Sequence, residues 1–342
     1  MLWTDLIDPA EVVGIARAEQ YMLEQRRGTL ARYLPNVFVN GDTVKFFVGE
    51  NGLVDEAQLR SWNAAPEIGK GGGGSMKSIS LVAISRNEPI DEQTQKALRR
   101  MTTDQFRKSV TAATRRTVQS ISDRVERIRG SIINTGKATV TQHNYLLNDD
   151  FGRDPALNAA LGAGNWWDTG MADRFAQIRA HMDIYRQKND GNDPGRILMN
   201  ATTLAALAGG NQFRTTLNNG ANINATSAQA ASMLLAEGLP QVELYNRRTK
   251  SGLVLDPKKI YYLPDPVDPN GDTPSDLGAT YWGETVSGMS PEFNLEPGEQ
   301  PGLVVGVYRE DRIPYTLEVM GDAVALPVAR NANAAMAVQV LP

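Results

Sequence analysis

A chain of 342 residues predicts two domains or one large elaborated one. Its 41% hydrophobic and 22% charged residues are near the averages for a globular protein, and a net charge of -4 argues against generalised nucleic-acid binding. Zero cysteines exclude disulfides and thiolate metal sites, no apolar run approaches the roughly 18 residues of a membrane span, and Met1-Leu2-Trp3-Thr4-Asp5, with its early acid, does not have the form of a secretion signal.

Asp8-Pro9 has the chemistry of a helix start, an acceptor side chain followed by a residue that needs no N–H in the first turn. Val12, Ile15, Ala16 and Leu23 follow helical spacing, Gly28 supplies a stop, and Pro35 forbids further helix. Residues 1–36 therefore read either as an arm or as a helix packed on its own domain. Next come two apolar β segments, Thr43–Val48 and Ile79–Ile84, separated by about thirty residues that include Gly71-Gly72-Gly73-Gly74-Ser75. An isolated two-stranded ribbon is marginal in water, so this excursion, spanning 37–90, is expected to lie on another polypeptide.

Residues 91–133 hold the longest helical pattern. Phe106, Val110, Ala113, Thr117, Ile121, Val125 and Ile128 make one stripe at steps of three and four. From Lys96 to Arg129 the segment carries ten bases against three acids, a net of about +7, which leaves the rest of the chain at about -11. Arg124, Arg127 and Arg129 sit beside Asp123 and Glu126 and are expected to pair with acids of their own or a neighbouring chain. Arg99, Arg100, Arg107, Lys108, Arg115 and Arg116 have fewer local acids, which makes them the candidates for meeting an anionic partner.

Lys137–Val140 reads as a strand. Residues 151–290 look like a mixed α/β unit with helices over Trp166–Lys188, Ala201–Gly209 and Ser227–Gly238, and strands over Arg196–Asn200, Val242–Asn246 and Lys259–Pro264. Met171, Phe175, Ile178, Met182 and Tyr185 share one face of the first helix. Residues 264–274 are a Pro/Asp loop, and the stretch Asp256–Glu299 holds nine acids against Lys258 and Lys259, which places it on a solvated surface. Leu303–Tyr308, a long Tyr315–Val328 with room for a bulge, and Ala334–Val340 return the chain to β structure.

Catalytic signatures are scarce. The two histidines, His143 and His181, show no metal-ligand spacing, and no Gly-x-Ser-x-Gly elbow or Walker loop occurs. The acid pairs Asp149-Asp150 and Glu310-Asp311 are expected to be solvated or paired with Arg153 and Arg312.

Several blocks, in order, resemble the lambda capsid-protein-E-like family of tailed-phage major capsid proteins. They are Leu2-Trp3-Thr4-Asp5-Leu6-Ile7-Asp8-Pro9-Ala10-Glu11, Gly28–Asn36, Gly52–Ala57, Ala65–Gly69, Asp311-Arg312-Ile313-Pro314-Tyr315 and Val328–Ala334. The resemblance implies an α+β chain with the tailed-phage and herpesvirus major capsid fold: an N-terminal arm (1–36), a projecting E-loop (37–90), a P-domain with a long spine helix (91–150) completed by C-terminal strands (295–342), and an A-domain (151–294). It implies no catalytic residue, metal or cofactor, and a chain that self-assembles as hexamers and pentamers into an icosahedral shell around double-stranded DNA. The partners it implies are further copies of the chain, a separate scaffolding protein, a portal and a decoration protein, with non-specific DNA contact and no membrane. The E-loop residues Val44, Phe46, Val48, Leu53, Trp62, Ile68, Ile79 and Leu81 and the arm residues Trp3, Leu6, Arg32 and Tyr33 would then meet neighbouring copies. The six bases named above would face DNA or scaffold. Some related shells crosslink a lysine to an asparagine; Lys70 or Lys77 with Asn331 or Asn333 are the candidates, and no buried acid for that chemistry is evident. Two other classes stay open: a protein-cargo compartment of the same fold, and an α/β enzyme with a long binding loop.

Overall fold

The structure, a computed structural model, describes residues 8–26, 28–48, 75–90, 103–142, 145–169, 171–213, 224–310 and 316–342, with Leu2, Gln93, Lys96 and Arg312 besides. Helix α1, Pro9–Gln25, starts where the sequence places it: Asp8 accepts from the Ala10 N–H at 3.0 Å and Pro9 fills the first turn. A turn at Leu30–Arg32 leads to β1, Asn36–Phe38. The ribbon strands β2, Thr43–Val48, and β3, Ser75–Ser80, pair antiparallel from Thr43 opposite Ser80 to Val48 opposite Ser75. The expected second segment, 79–84, is thus two strands. At Leu81, whose N–H donates to Asp42 O at 2.7 Å, the chain leaves the ribbon and enters the main sheet as β4, Val82–Ile90.

Helix α2, Thr103–Thr135, is 33 residues, about 50 Å of rise. Every residue of the predicted stripe from Phe106 to Ile128 is buried along it. The hairpin β5, Lys137–Gln142, and β6, Tyr145–Asp150, follows. Then come β7 (Asn158–Ala160), α3 (Arg174–Lys188), β8 (Arg196–Met199), α4 (Ala201–Ala208) and α5 (Ser227–Ala236). Beyond them run β9 (Gln241–Leu244), the two-residue strands β10 (Arg248–Thr249) and β11 (Gly252–Leu253), β12 (Lys259–Leu263), β13 (Gly278–Gly283) and the single turn α6 (Val286–Met289). The chain ends with β14 (Val304–Arg309), β15 (Leu317–Ala329) and β16 (Met336–Gln339).

Helix α3 begins eight residues later than the spacing suggests. Asp173 caps it by accepting from Ala176 N at 3.1 Å, and the buried Arg174 guanidinium donates back to the carbonyls of Trp167 and Thr169, folding the preceding segment across the helix start. Met171, expected on the apolar face, is therefore 88% exposed.

Two sheets carry the molecule. In the first, β15 is central. On one side it pairs with β13 and β14, on the other with β4, and β1 adds in parallel outside β13. Helix α2 lies across this sheet, and its stripe joins α1, β14 and β15 in one apolar core containing Val12, Leu23, Val118, Val305 and Val319. The second sheet runs β7-β16-β12-β8-β9, with α3, α4 and α5 around a core of Trp167, Ile178, Ile197, Leu234 and Val338. A further cluster, including Tyr33, Ile132, Tyr261 and Leu326, spans both, so the two sheets share a third core beside their own.

The domain limits read from sequence shift accordingly. Residues 278–283, expected in the A-domain, form the interior strand β13 of the first sheet, while 336–339, expected in the P-domain, form β16 inside the second. β13 is a short segment bounded by glycines and is easily read as loop. Gly278 has φ 152°, and a Cβ there would lie 2.1 Å from Val328 O, so glycine is required where the strand starts. The expected bulge in β15 is absent: pairing with β4 runs without interruption from Leu317 to Ala325. Gly321 serves close approach instead, because a Cβ on it would meet Thr117 Cγ2 of α2 at 2.4 Å and Ile121 Cδ1 at 3.1 Å. Pro327 is tolerated because β15 has only β13 beside it there, and Pro89 because β4 is an edge strand.

Gly321→Val is expected to push α2 off the sheet and to cost about 1–3 kcal/mol, read as a lower denaturant midpoint by circular dichroism. A midpoint equal to that of the unchanged protein would show that the helix is not held at this spacing.

Candidate functional site

The base of the ribbon is packed on its own chain. Val44 and Leu81 are buried, and Phe46, 5% exposed, faces Phe151 with ring centroids 6.4 Å apart. Ile79 is half-buried against the same cluster. Expected at a neighbouring copy, these four side chains pack on the body beneath, Val44, Phe46 and Ile79 through the alternation of β2 and β3 and Leu81 from the residue that follows β3. Lys77 Nζ donates to Asp150 O at 2.8 Å and ties the ribbon to β6. The side chain of Val48, and Leu53, Trp62, Ile68, Lys70 and the Gly71–Gly74 run, lie outside the described residues. Asn333 is also engaged internally, accepting from Asp154 N at 2.9 Å.

Arg32 and Tyr33, expected at a neighbouring copy, both reach Glu243 on β9, at 3.3 and 2.9 Å. Helix α1 packs on α2 and β14, so most of 1–36 is part of the body. Trp3 and Leu6 lie outside the described residues, as do Arg99 and Arg100. On the basic face of α2, Arg107 and Lys108 are exposed. Arg115 and Arg116 were credited with few acid neighbours; each has one, Glu19 at 3.3 Å and Glu88 at 3.9 Å, brought from elsewhere in the chain. Both remain largely in water, where such pairs contribute little.

At the junction of α1, β1, α2, β9 and β13 lies a buried polar network. Arg129, fully buried, donates to Glu24 at 2.8 Å, Thr280 Oγ1 at 2.9 Å and Asn36 Oδ1 at 2.8 Å, and lies 3.4 Å from Glu126. Asn36 Oδ1 also accepts from Trp282 Nε1 at 2.9 Å. Glu126 accepts from Leu30 N and from the Tyr245 hydroxyl, both at 2.8 Å, and meets Arg247 at 3.4 Å. Arg247 extends the chain to Asp123 at 3.0 Å. Burial raises the Glu24 carboxyl above its ordinary range although Arg129 opposes it, and Glu24 Oε1 has no hydrogen-bond partner. Burial, then the neighbouring Glu126, raises the Tyr245 phenol. For Arg247, burial works to lower the pKa, but Glu126 and Asp123 outweigh it and hold the guanidinium above its usual value. The expectation that Arg129 pairs with acid is met, through Glu24 as well as Glu126. Arg127 instead donates to Thr249 Oγ1 and Gly252 O, fastening α2 to the β10–β11 hairpin. Arg124 has no ion-pair partner among the described residues.

Arg153 is a second clamp. Rather than pairing with Asp149 or Asp150, it donates to Ile132 O at 2.7 Å and Ile133 O at 2.9 Å, the last carbonyls of α2, and to Ala332 O at 3.1 Å and Asn158 Oδ1 at 3.2 Å. Without a carboxylate, burial lowers its pKa to about 9. Asp150 pairs with Lys137 at 2.7 Å.

Among the described residues no group of three His, Cys, Asp or Glu could hold a metal. His181 is buried against the Tyr262 hydroxyl at 3.0 Å, and burial lowers its pKa to about 4. No described helix is long and apolar enough to cross a membrane. The polar groups gathered here brace elements against one another.

Solved structures show the same fold. A protein assigned as the capsid protein of a prophage of E. coli CFT073 aligns with TM-score 0.60 at 16% identity, over 96% of this chain and 98% of its own. A phage-related protein from Bordetella bronchiseptica RB50 aligns with TM-score 0.58 at 14% identity, over 99% of both chains. A search of the curated proteins finds no match. The architecture, with its long spine helix across one sheet, a second sheet beyond it and a β ribbon, is that of the tailed-phage major capsid proteins. The profile of the phage major capsid protein E family matches residues 24–340, and the chain belongs to that family.

Replacing Arg129 by Met strands two carboxylates in the interior and is expected to cost about 3–5 kcal/mol in chemical denaturation. Glu24→Gln should cost clearly less, since its carboxyl is already driven towards the neutral form. Equal losses would contradict the assignment of Arg129 as the hub. For His181, the unfolded chain takes up a proton near 6.5 and the folded chain only near 4. Stability should therefore fall as pH drops through that window, by an amount on the order of 3 kcal/mol. His181→Gln should flatten this part of the pH–stability curve; an unchanged slope would assign it to other groups.

Proposed function

We propose that this chain is the major subunit of a phage head, assembling as hexamers and pentamers into a closed icosahedral shell around double-stranded DNA. The observation that carries the reading is the family match over residues 24–340, on a chain whose fold agrees with capsid-type structures along nearly its full length. The work of such a subunit is geometric and not catalytic. With Val44, Phe46, Ile79 and Leu81 anchoring the ribbon on its own body, the part of the E-loop that reaches an adjacent copy is the stretch beyond Val48, with Leu53, Trp62 and Ile68. Trp3 and Leu6 are the arm residues that meet a neighbour.

Arg99, Arg100, Arg107 and Lys108 face packaged DNA or a scaffolding protein through phosphate or carboxylate contacts without base reading. Arg115 and Arg116 contribute less, because Glu19 and Glu88 already partly neutralise them. A separate scaffolding protein, a portal and an outer decoration protein complete the assembly, which forms in the host cytoplasm and persists in the virion.

Negative-stain imaging of the purified protein tests this directly. Closed shells of uniform diameter are expected. A preparation holding only small discrete particles, at every salt and protein concentration tried, would reject the reading.

A further inference from the structure

The first sheet carries opposite charge at its two edges. Its strands run β1-β13-β15-β4 from side to side. The outer edge of β1 is closed by the Pro/Asp loop: Asn36 N–H donates to Pro269 O at 2.8 Å, and Phe38 N–H to Asp272 Oδ1 at 3.0 Å. Residues 264–276 contain four aspartates, four prolines and no lysine or arginine. Asp265, Asp268, Asp272 and Asp276 are all exposed, and among the described residues only Asp265 has an ion-pair partner, Arg196 at 3.8 Å.

At the opposite edge, β4 borders a groove of about 580 Å³ closed by α2, the β5–β6 hairpin and the β10–β11 turn. Arg86, Arg124, Arg127 and Lys250 line it; Arg86 is held by Glu88 at 2.8 Å, and the one carboxylate in the lining, Asp123, is held by Arg247 at 3.0 Å. Among the described residues Arg127 is bound only to neutral oxygens. Arg124 and Lys250 have no ion-pair partner among the described residues. Tyr145, an exposed ring, forms part of the rim.

We propose that the aspartate loop of one copy seats in the cationic groove of the next. The inference rests on the shell reading above and supplies one of its subunit contacts. The loop suits the groove on two counts. Its carboxylates match the unpaired Arg124 and Lys250, and its prolines restrict the backbone, so little chain entropy is lost on docking. Because the two surfaces lie on opposite edges of one copy, the contact is head-to-tail: an open row of copies keeps one free loop at one end and one free groove at the other until a rotation closes the ring. The charges in this contact act on both encounter rate and register.

The test is a charge swap read by sedimentation velocity and negative stain across a protein dilution series. Arg124→Glu with Lys250→Glu, and separately Asp265→Lys with Asp276→Lys, should each raise the concentration needed for half-assembly by about tenfold or more. Circular dichroism should show both variants folded. The four substitutions combined should bring assembly back to within a few-fold of the unchanged protein, which a misfolded variant could not do. A folded groove variant that assembles normally, or a combined variant no better than its parents, overturns the contact while leaving the shell reading intact. A groove variant that loses only co-purifying DNA also overturns it, assigning the groove to phosphate. Unchanged protein that stays monomeric overturns both readings.

Discussion

Arg129 is the point through which the arm, the spine helix and the first sheet constrain one another. Its donors reach Glu24 of α1, Asn36 of β1 and Thr280 of β13 from a side chain with no exposure to water. Such a group tolerates little displacement, because each lost partner leaves a desolvated charge or dipole. Glu126 performs the same office towards Tyr245 and Arg247 at the end of β9. Ion networks of this kind add modest net stability compared with apolar packing, and their effect is on specificity: the elements must meet in one arrangement. For a subunit that must present several surfaces to its neighbours at once, that fixity matters more than a few kcal/mol.

The apolar packing around the network works to the same end. Gly321 lets α2 approach β15 at the distance of a missing Cβ, and the stripe from Phe106 to Ile128 fills the contact on either side. The chain then crosses between sheets twice. β13 enters the first sheet from the midst of the second unit, and β16 returns from the first to lie inside the second. Interleaving at this level, with a shared cluster around Ile132, Tyr261 and Leu326, makes the two sheets cooperative parts of one body.

Periodicity made the body legible and left its closure obscure. The spine helix could be read because a stripe of six apolar residues and Thr117 repeats at helical spacing, and β8, β12 and β14 because short apolar runs end at turns. β13 escaped because Gly278 and Gly283 bracket only four other residues. Its burial comes from β1 and β15, partners far away in sequence. Charge partners escaped for the same reason. Arg115 and Arg116 looked free because Glu19 and Glu88 are distant along the chain, and Arg127 looked paired because Glu126 is adjacent, although on a helix adjacent residues point apart. Thr43–Val48 was read as a ribbon strand, but its partner was placed at 79–84 and is Ser75–Ser80, and Phe46 and Leu81 were assigned outwards because nothing local reveals that Phe151 lies beneath Phe46.

Arg153 grips the end of the spine helix entirely through main-chain carbonyls and one amide. Carbonyls do not titrate, so acid that neutralises the carboxylates around Arg129 leaves this grip untouched. A subunit loosened by protonation would keep the last turn of its long helix fastened while the turn before it, at Glu126 and Arg129, lost its ties to α1 and β9.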